Sequence, residues 1–148
     1  MDERSDLDTK RDHSSWVAHL PARVLAVEDH ADTRETLSAL LELEGYLVAT
    51  AADGASAISM AEIFRPDVLL LDMTLPDMTG IDVLRRLRAA GFSRAAVAVS
   101  ALASDSDRKA YREAGFYAFC SKPVVIDQLL RVLRELTGPR TEPPGEPA

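Results

Sequence analysis

Through the middle of this chain, short apolar runs alternate five times with stretches whose apolar residues recur at helical spacing. The runs are Val24 to Val27, Leu47 to Thr50, Val68 to Leu71, Ala95 to Val99 and Phe116 to Cys120. Val68 to Leu71 contains no polar side chain. A strand that is apolar on both faces is buried on both, which is the environment of a parallel sheet covered by helices on each side. Helices are expected around Leu37, Leu40 and Leu41, with Gly45 as the stop, and around Ala57, Ile58, Ala61 and Phe64, ending before Pro66. A third carries Ile81, Leu84 and Leu87; Ser104 to Ala114 and Val124 to Leu136 make the last two.

Periodicity alone leaves the strand order open. Right-handed crossovers and the length of 148 residues favour a doubly wound α/β sandwich of three layers. That is the flavodoxin-like (βα)5 arrangement, with a parallel five-stranded sheet in the order 2-1-3-4-5. The expected organisation is a flexible N-terminal extension over residues 1–20, a domain over 21–138, and a disordered Pro-rich tail over 139–148. Trp16, Val17 and Leu20 interrupt the polar extension, either as surface packing or as a docking segment. No further domain follows the fold, so the chain reads as stand-alone.

The formal net charge of -7 argues against nucleic-acid binding, which needs Lys and Arg to neutralise phosphates. It suits a cation site. The single cysteine, Cys120, forms no internal disulfide, and no apolar run resembles a signal peptide or is long enough to cross a bilayer. A soluble, cytoplasmic protein with no membrane partner is the expectation.

In open parallel sheets, function gathers beyond the carboxyl ends of the strands. Those ends carry Glu28 and Asp29 after the first strand, Asp72 on the third, Ser100 on the fourth, and Lys122 with Pro123 after the fifth. Three carboxylates converge only around a cation, because their repulsion otherwise forces protons onto some of them. A hard divalent ion such as Mg2+ takes oxygen ligands and keeps sites for water and phosphate oxygens. One carboxylate then stays ionised and can attack phosphorus, with Lys122 neutralising charge on the transferred group and Ser100 donating a hydrogen bond to it. Taken singly, each residue has a plainer reading: Asp29 or Asp32 as a helix cap, Asp72 as a turn residue, Ser100 as a cap. Their joint occurrence on successive strand ends favours the site.

Here the chain resembles the two-component response-regulator receiver domains. The matching stretches are Val24-Leu-Ala-Val-Glu-Asp29, Pro66 through Gly80, Val97-Ala-Val-Ser-Ala101 and Ser121-Lys-Pro123, covering roughly residues 22 to 137. The resemblance implies that Asp72 is the phosphoacceptor. It implies that Glu28, Asp29, Asp72 and the Met73 backbone carbonyl hold Mg2+ or Mn2+, and that Lys122 and Ser100 assist the transfer. Ser100 is also the implied switch hydroxyl, Ala101 the small residue that leaves the phosphate accessible, and the Lys122–Pro123 bond is expected to be cis. A switch tyrosine often stands three residues before the lysine; this chain has Phe119 there, with Tyr117 two residues earlier. The partners implied are a sensor histidine kinase or histidine phosphotransfer protein and a downstream protein target, through either phosphate relay or allosteric control. Beyond its own phosphorylation and dephosphorylation, no enzyme activity is expected. Thr74 and Leu102, beside the site, are candidates for tuning phosphoryl lifetime.

Two rivals bear comparison. Aspartate-nucleophile phosphatases of the haloacid-dehalogenase type place a second Asp two residues on, where this chain has Thr74. A receiver-like interaction module that is never phosphorylated would have no need of Glu28, Asp29, Asp72, Ser100 and Lys122 together. On the last helix, Val125 and Val132 widen the apolar face and are candidates for a homodimer or partner surface. His13, His19 and His30 lack metal-ligand spacing, although His30 adjoins the acidic pair.

Overall fold

A computed structural model describes residues 20–138; residues 1–19, with His13, Trp16, Val17 and His19, and the Pro-rich tail lie outside the described residues. The elements alternate as β1 (Arg23–Val27), α1 (Ala31–Leu43), β2 (Leu47–Ala51), α2 (Gly54–Phe64) and β3 (Val68–Asp72). They continue as α3 (Gly80–Ala89), β4 (Ala95–Ser100), α4 (Asp105–Ala114), β5 (Ala118–Ser121) and α5 (Ile126–Thr137). The five strands pair in parallel in the order β2-β1-β3-β4-β5, the expected doubly wound sheet. The fifth strand starts at Ala118 rather than Phe116, which packs instead as a buried residue in front of it.

The continuous apolar runs follow from the two-sided burial. Leu25, Leu69, Leu71, Ala96 and Ala98 join Ala57, Ala61, Val83, Leu84 and Leu87 in a core under α2 and α3, where Tyr111 of α4 also packs. Val24, Ala26, Val68, Leu70, Val97 and Val99 face the other way, against Leu41 of α1 and Leu129, Leu130 and Leu133 of α5. All five residues of β3 are buried, so it runs through the centre of both cores. Val132 packs against the second core, whereas Val125 precedes α5 and is 54% exposed. Among the described residues, no helix is long and apolar enough to cross a membrane.

Helix starts are set by side chains that take the first free N–H groups. Asp53 accepts from Ser56 N and Thr79 from Asp82 N, while Ser104 and Asp107 form a reciprocal capping box on α4. The α1 cap is neither of the two aspartates that the plainer reading offered. Neither Asp29 nor Asp32 occupies it; the His30 ring accepts from Thr33 N, which leaves the Asp29 carboxylate out of the capping bond.

Candidate functional site

The sheet order reverses direction between β1 and β3, since the chain moves from β1 out to β2 and then back past β1 to β3 and β4. Loops leaving β1 and β3 therefore part to opposite sides and open a crevice at their carboxyl ends. Register places the ends side by side: Val27 pairs with Leu71 and Asp72 with Val99, so Ser100 stands one step beyond the partner of Asp72.

Oxygens of Glu28, Asp29 and Asp72 all lie within 4.8 Å of one another, with Glu28 and Asp72 buried and Asp29 exposed. Lys122 Nζ reaches both buried carboxylates, 2.8 Å from Asp72 Oδ2 and 3.1 Å from Glu28 Oε1. With three carboxylates and one ammonium, the cluster carries a formal excess of two negative charges. An all-oxygen donor set with that excess fits a hard divalent cation. Burial, the largest single influence on Lys122, pulls its pKa down; hydrogen bonds and charge from Asp72 and Glu28 together outweigh it, and the net shift is above the ordinary lysine value.

The two buried carboxylates are each oriented by a backbone N–H two residues on. Asp72 Oδ1 accepts from Thr74 N at 3.0 Å, and Glu28 Oε2 accepts from His30 N at 2.9 Å. Arg34 of α1 donates to the Glu28 carbonyl at 2.9 Å and so folds the first loop back on its helix. The Met73 carbonyl accepts the Gly80 N–H at 3.1 Å and retains one lone pair. A Cβ on Gly80 would sit 2.6 Å from the Met73 sulfur and 2.9 Å from the Asp72 carbonyl, so only glycine lets α3 begin this close to β3. Asp77 pins the same loop from the far side, accepting from Gly54 N at 2.8 Å and Ala55 N at 2.9 Å. Those two backbone bonds hold its carboxyl below the usual carboxylate range.

Ser100 is buried at the end of β4, and its Oγ accepts from Leu102 N at 2.9 Å and from the Tyr111 hydroxyl at 3.1 Å. The Lys122–Pro123 bond is cis, as expected. Phe119 stacks on Tyr111 with ring centroids 5.5 Å apart, and the Arg108 guanidinium lies 5.4 Å from the Phe119 centroid. Tyr117 is half exposed, and its hydroxyl turns to Glu135 on α5 at 3.1 Å. That bond to a carboxylate is the main reason its pKa lies above the ordinary tyrosine value. Cys120 is buried, which pushes its thiol pKa up.

A family profile described as "Response regulator receiver domain" matches residues 24–134. This chain belongs to the response-regulator receiver family. It is 40% identical over 116 residues to the probable transcriptional regulatory protein TcrX of Mycobacterium tuberculosis, covering 78% of this chain and 50% of that protein. It is 38% identical over 121 residues to the response regulator MprA of Mycobacterium leprae, covering 82% of this chain and 53% of that one. The chain thus spans about half the length of the curated relatives it matches. Among solved structures, the Vibrio cholerae chemotaxis protein CheY4 superposes with a TM-score of 0.74 at 30% identity, covering 78% of this chain and 98% of that one. The Francisella response regulator 1452 receiver domain gives 0.75 at 25% identity, with 78% and 96% covered.

The structure brings together Glu28, Asp29, Asp72 and Lys122, the receiver residues read from the strand ends, and sets Met73 and Ser100 beside them. Sequence reasoning passed over Tyr111, Asp77 and Arg34. A signal existed for the first: Tyr111 is the one large apolar residue in a helix otherwise of polar and charged residues and two alanines, and a lone ring there marks the side that packs.

Proposed function

We propose that this receiver domain takes a phosphoryl group from a phosphohistidine onto Asp72, with a divalent cation held by Glu28, Asp29, Asp72 and the Met73 carbonyl. The carrying observation is the Lys122 ammonium bridging the buried Asp72 and Glu28 carboxylates beside the exposed Asp29. An Asp72 carboxylate oxygen forms the new bond to phosphorus while the phosphorus–nitrogen bond of the donor breaks and the leaving imidazole takes up a proton. The product is an acyl phosphate; water attacking phosphorus later returns Asp72 and releases inorganic phosphate.

Bound Mg2+ or Mn2+ supplies positive charge against the carboxylates and the phosphoryl oxygens. The chain's own groups do the rest. Lys122, held between Asp72 and Glu28, is placed to follow a phosphoryl oxygen as charge moves outward from the carboxylate. Thr74 N–H fixes the rotation of the Asp72 carboxyl group, and Ser100 lies one register step away to donate to the transferred group. A groove lined by Leu37, Leu40, Pro123, Val124 and Ile126 opens directly beside Glu28, Asp29 and Lys122. An apolar surface touching the acidic cluster suits a sensor kinase or phosphotransfer protein that must present its phosphohistidine there. Response of a downstream protein target to the phosphorylated form completes the proposed two-component role.

Intact-mass analysis after incubation with acetyl phosphate and Mg2+ tests this reading. One added phosphoryl group is expected on the native chain and none on Asp72→Asn or with EDTA present. A native chain that stays unmodified by acetyl phosphate and by a phosphorylated histidine kinase would support the phosphorylation-independent interaction module instead.

A further inference from the structure

A serine hydroxyl has two acceptor positions and one proton to give. At Ser100 both acceptor positions are engaged, by Leu102 N–H at 2.9 Å and by Tyr111 O–H at 3.1 Å. The tyrosine's other acceptor, the Leu102 carbonyl, is at 3.5 Å, the limit of a useful bond, so its single proton belongs with Ser100. The Ser100 proton is thereby left for an acceptor outside the described protein groups. Phe119, on the strand that leads to Lys122, brings a ring and no hydroxyl; its ring lies stacked against Tyr111.

Tyr111 is also the one buried residue of α4, whose other side chains are mostly charged and exposed. The bond between the two hydroxyls is itself buried, so water does not compete for it.

We infer that Tyr111 is a positioning residue for Ser100, supplying from α4 the hydroxyl that Phe119 lacks and holding the Ser100 proton ready for a phosphoryl oxygen on Asp72. The inference rests on the phosphoacceptor reading of Asp72. When Ser100 donates to an anionic oxygen its own oxygen becomes a better acceptor, and the Tyr111 bond strengthens with it. Without the tyrosine proton, one acceptor position of Ser100 is left open, its O–H is free to rotate, and that preorganisation is lost.

The test is a double-mutant cycle on Tyr111→Phe and Ser100→Ala, read by the affinity of beryllofluoride in the presence of Mg2+, a mimic of a phosphoryl group on a carboxylate. Tyr111→Phe keeps the ring stacked on Phe119 and removes only the hydroxyl. It is expected to weaken beryllofluoride binding about threefold to tenfold when Ser100 is present, the range of one hydrogen bond. In the Ser100→Ala background the same change is expected to alter affinity less than about twofold. An equal loss in both backgrounds overturns the inference, since the tyrosine would then act through packing. Unchanged affinity with Ser100 present overturns it as well. A native chain that binds no beryllofluoride removes the phosphoacceptor reading and this inference together; native binding with a flat cycle removes the inference alone.

Discussion

α3 and α4 are each ten residues long and pack on the same side of the sheet, yet they are held by different means. α3 buries Gly80, Val83, Leu84 and Leu87, and its first N–H is bonded to the Met73 carbonyl next to Asp72. α4 buries Tyr111 alone and otherwise relies on the Ser104–Asp107 capping box and solvated charges. The helix that follows Asp72 is thus fixed by a packed stripe, and the helix that follows Ser100 by one ring, one hydroxyl and a capping box. Local opening costs least where few apolar contacts must be broken. A rigid element behind the acidic cluster keeps its geometry, while a lightly anchored element beside Ser100 is free to respond.

The largest expected effect separates the two helices outright. Leu84→Ala, at a fully buried position, is expected to cost about 2–5 kcal/mol of global stability by denaturant unfolding. Ser104→Ala removes the α4 cap at about 1 kcal/mol and is expected to speed amide exchange within Asp105–Ala114 while leaving α3 protected. Equal changes in both helices under Ser104→Ala would erase the distinction. Gly80→Ala comes next, at about 1–3 kcal/mol, because the new methyl meets Met73 and the Asp72 backbone. It should also weaken Mg2+ binding by isothermal titration, since the Met73 carbonyl must move.

The smallest effect is electrostatic. Asp77 is ionised in the fold to a lower pH than its ordinary value of 3.8, so as pH falls the unfolded chain takes up the proton first. Its contribution is therefore whole above about pH 3.8 and is lost as pH drops through the lowered value. Asp77→Asn is expected to flatten that part of a stability–pH curve; an unchanged slope would mean that the loop is held without it.

Much of this comparison could be read from the chain before any coordinates. Two-sided burial writes itself into β3 as five buried residues in a row, and the α4 segment shows its poverty of apolar residues directly. Glu28, Asp29, Asp72 and Lys122 were legible because each terminates or follows a strand, and parallel topology gathers strand ends. What stayed hidden depends on side-chain reach across elements. Tyr111 meets Ser100 only because α4 turns its one buried ring back toward the end of β4, and Asp77 reaches the start of α2 across 23 residues of sequence. The His30 cap was not legible because aspartate is the stronger capping residue by type, whereas the Asp29 carboxylate joins the cluster, as the favoured reading had it.

The measurement that bears most directly on the account is where the phosphoryl group lands. After incubation with acetyl phosphate and Mg2+, borohydride reduces an acyl phosphate to the alcohol, converting an aspartyl phosphate to homoserine that peptide mass spectrometry can locate. Conversion at Asp72 alone is the predicted result. No conversion, or conversion at Asp29 or Asp77 with Asp72 intact, would contradict it.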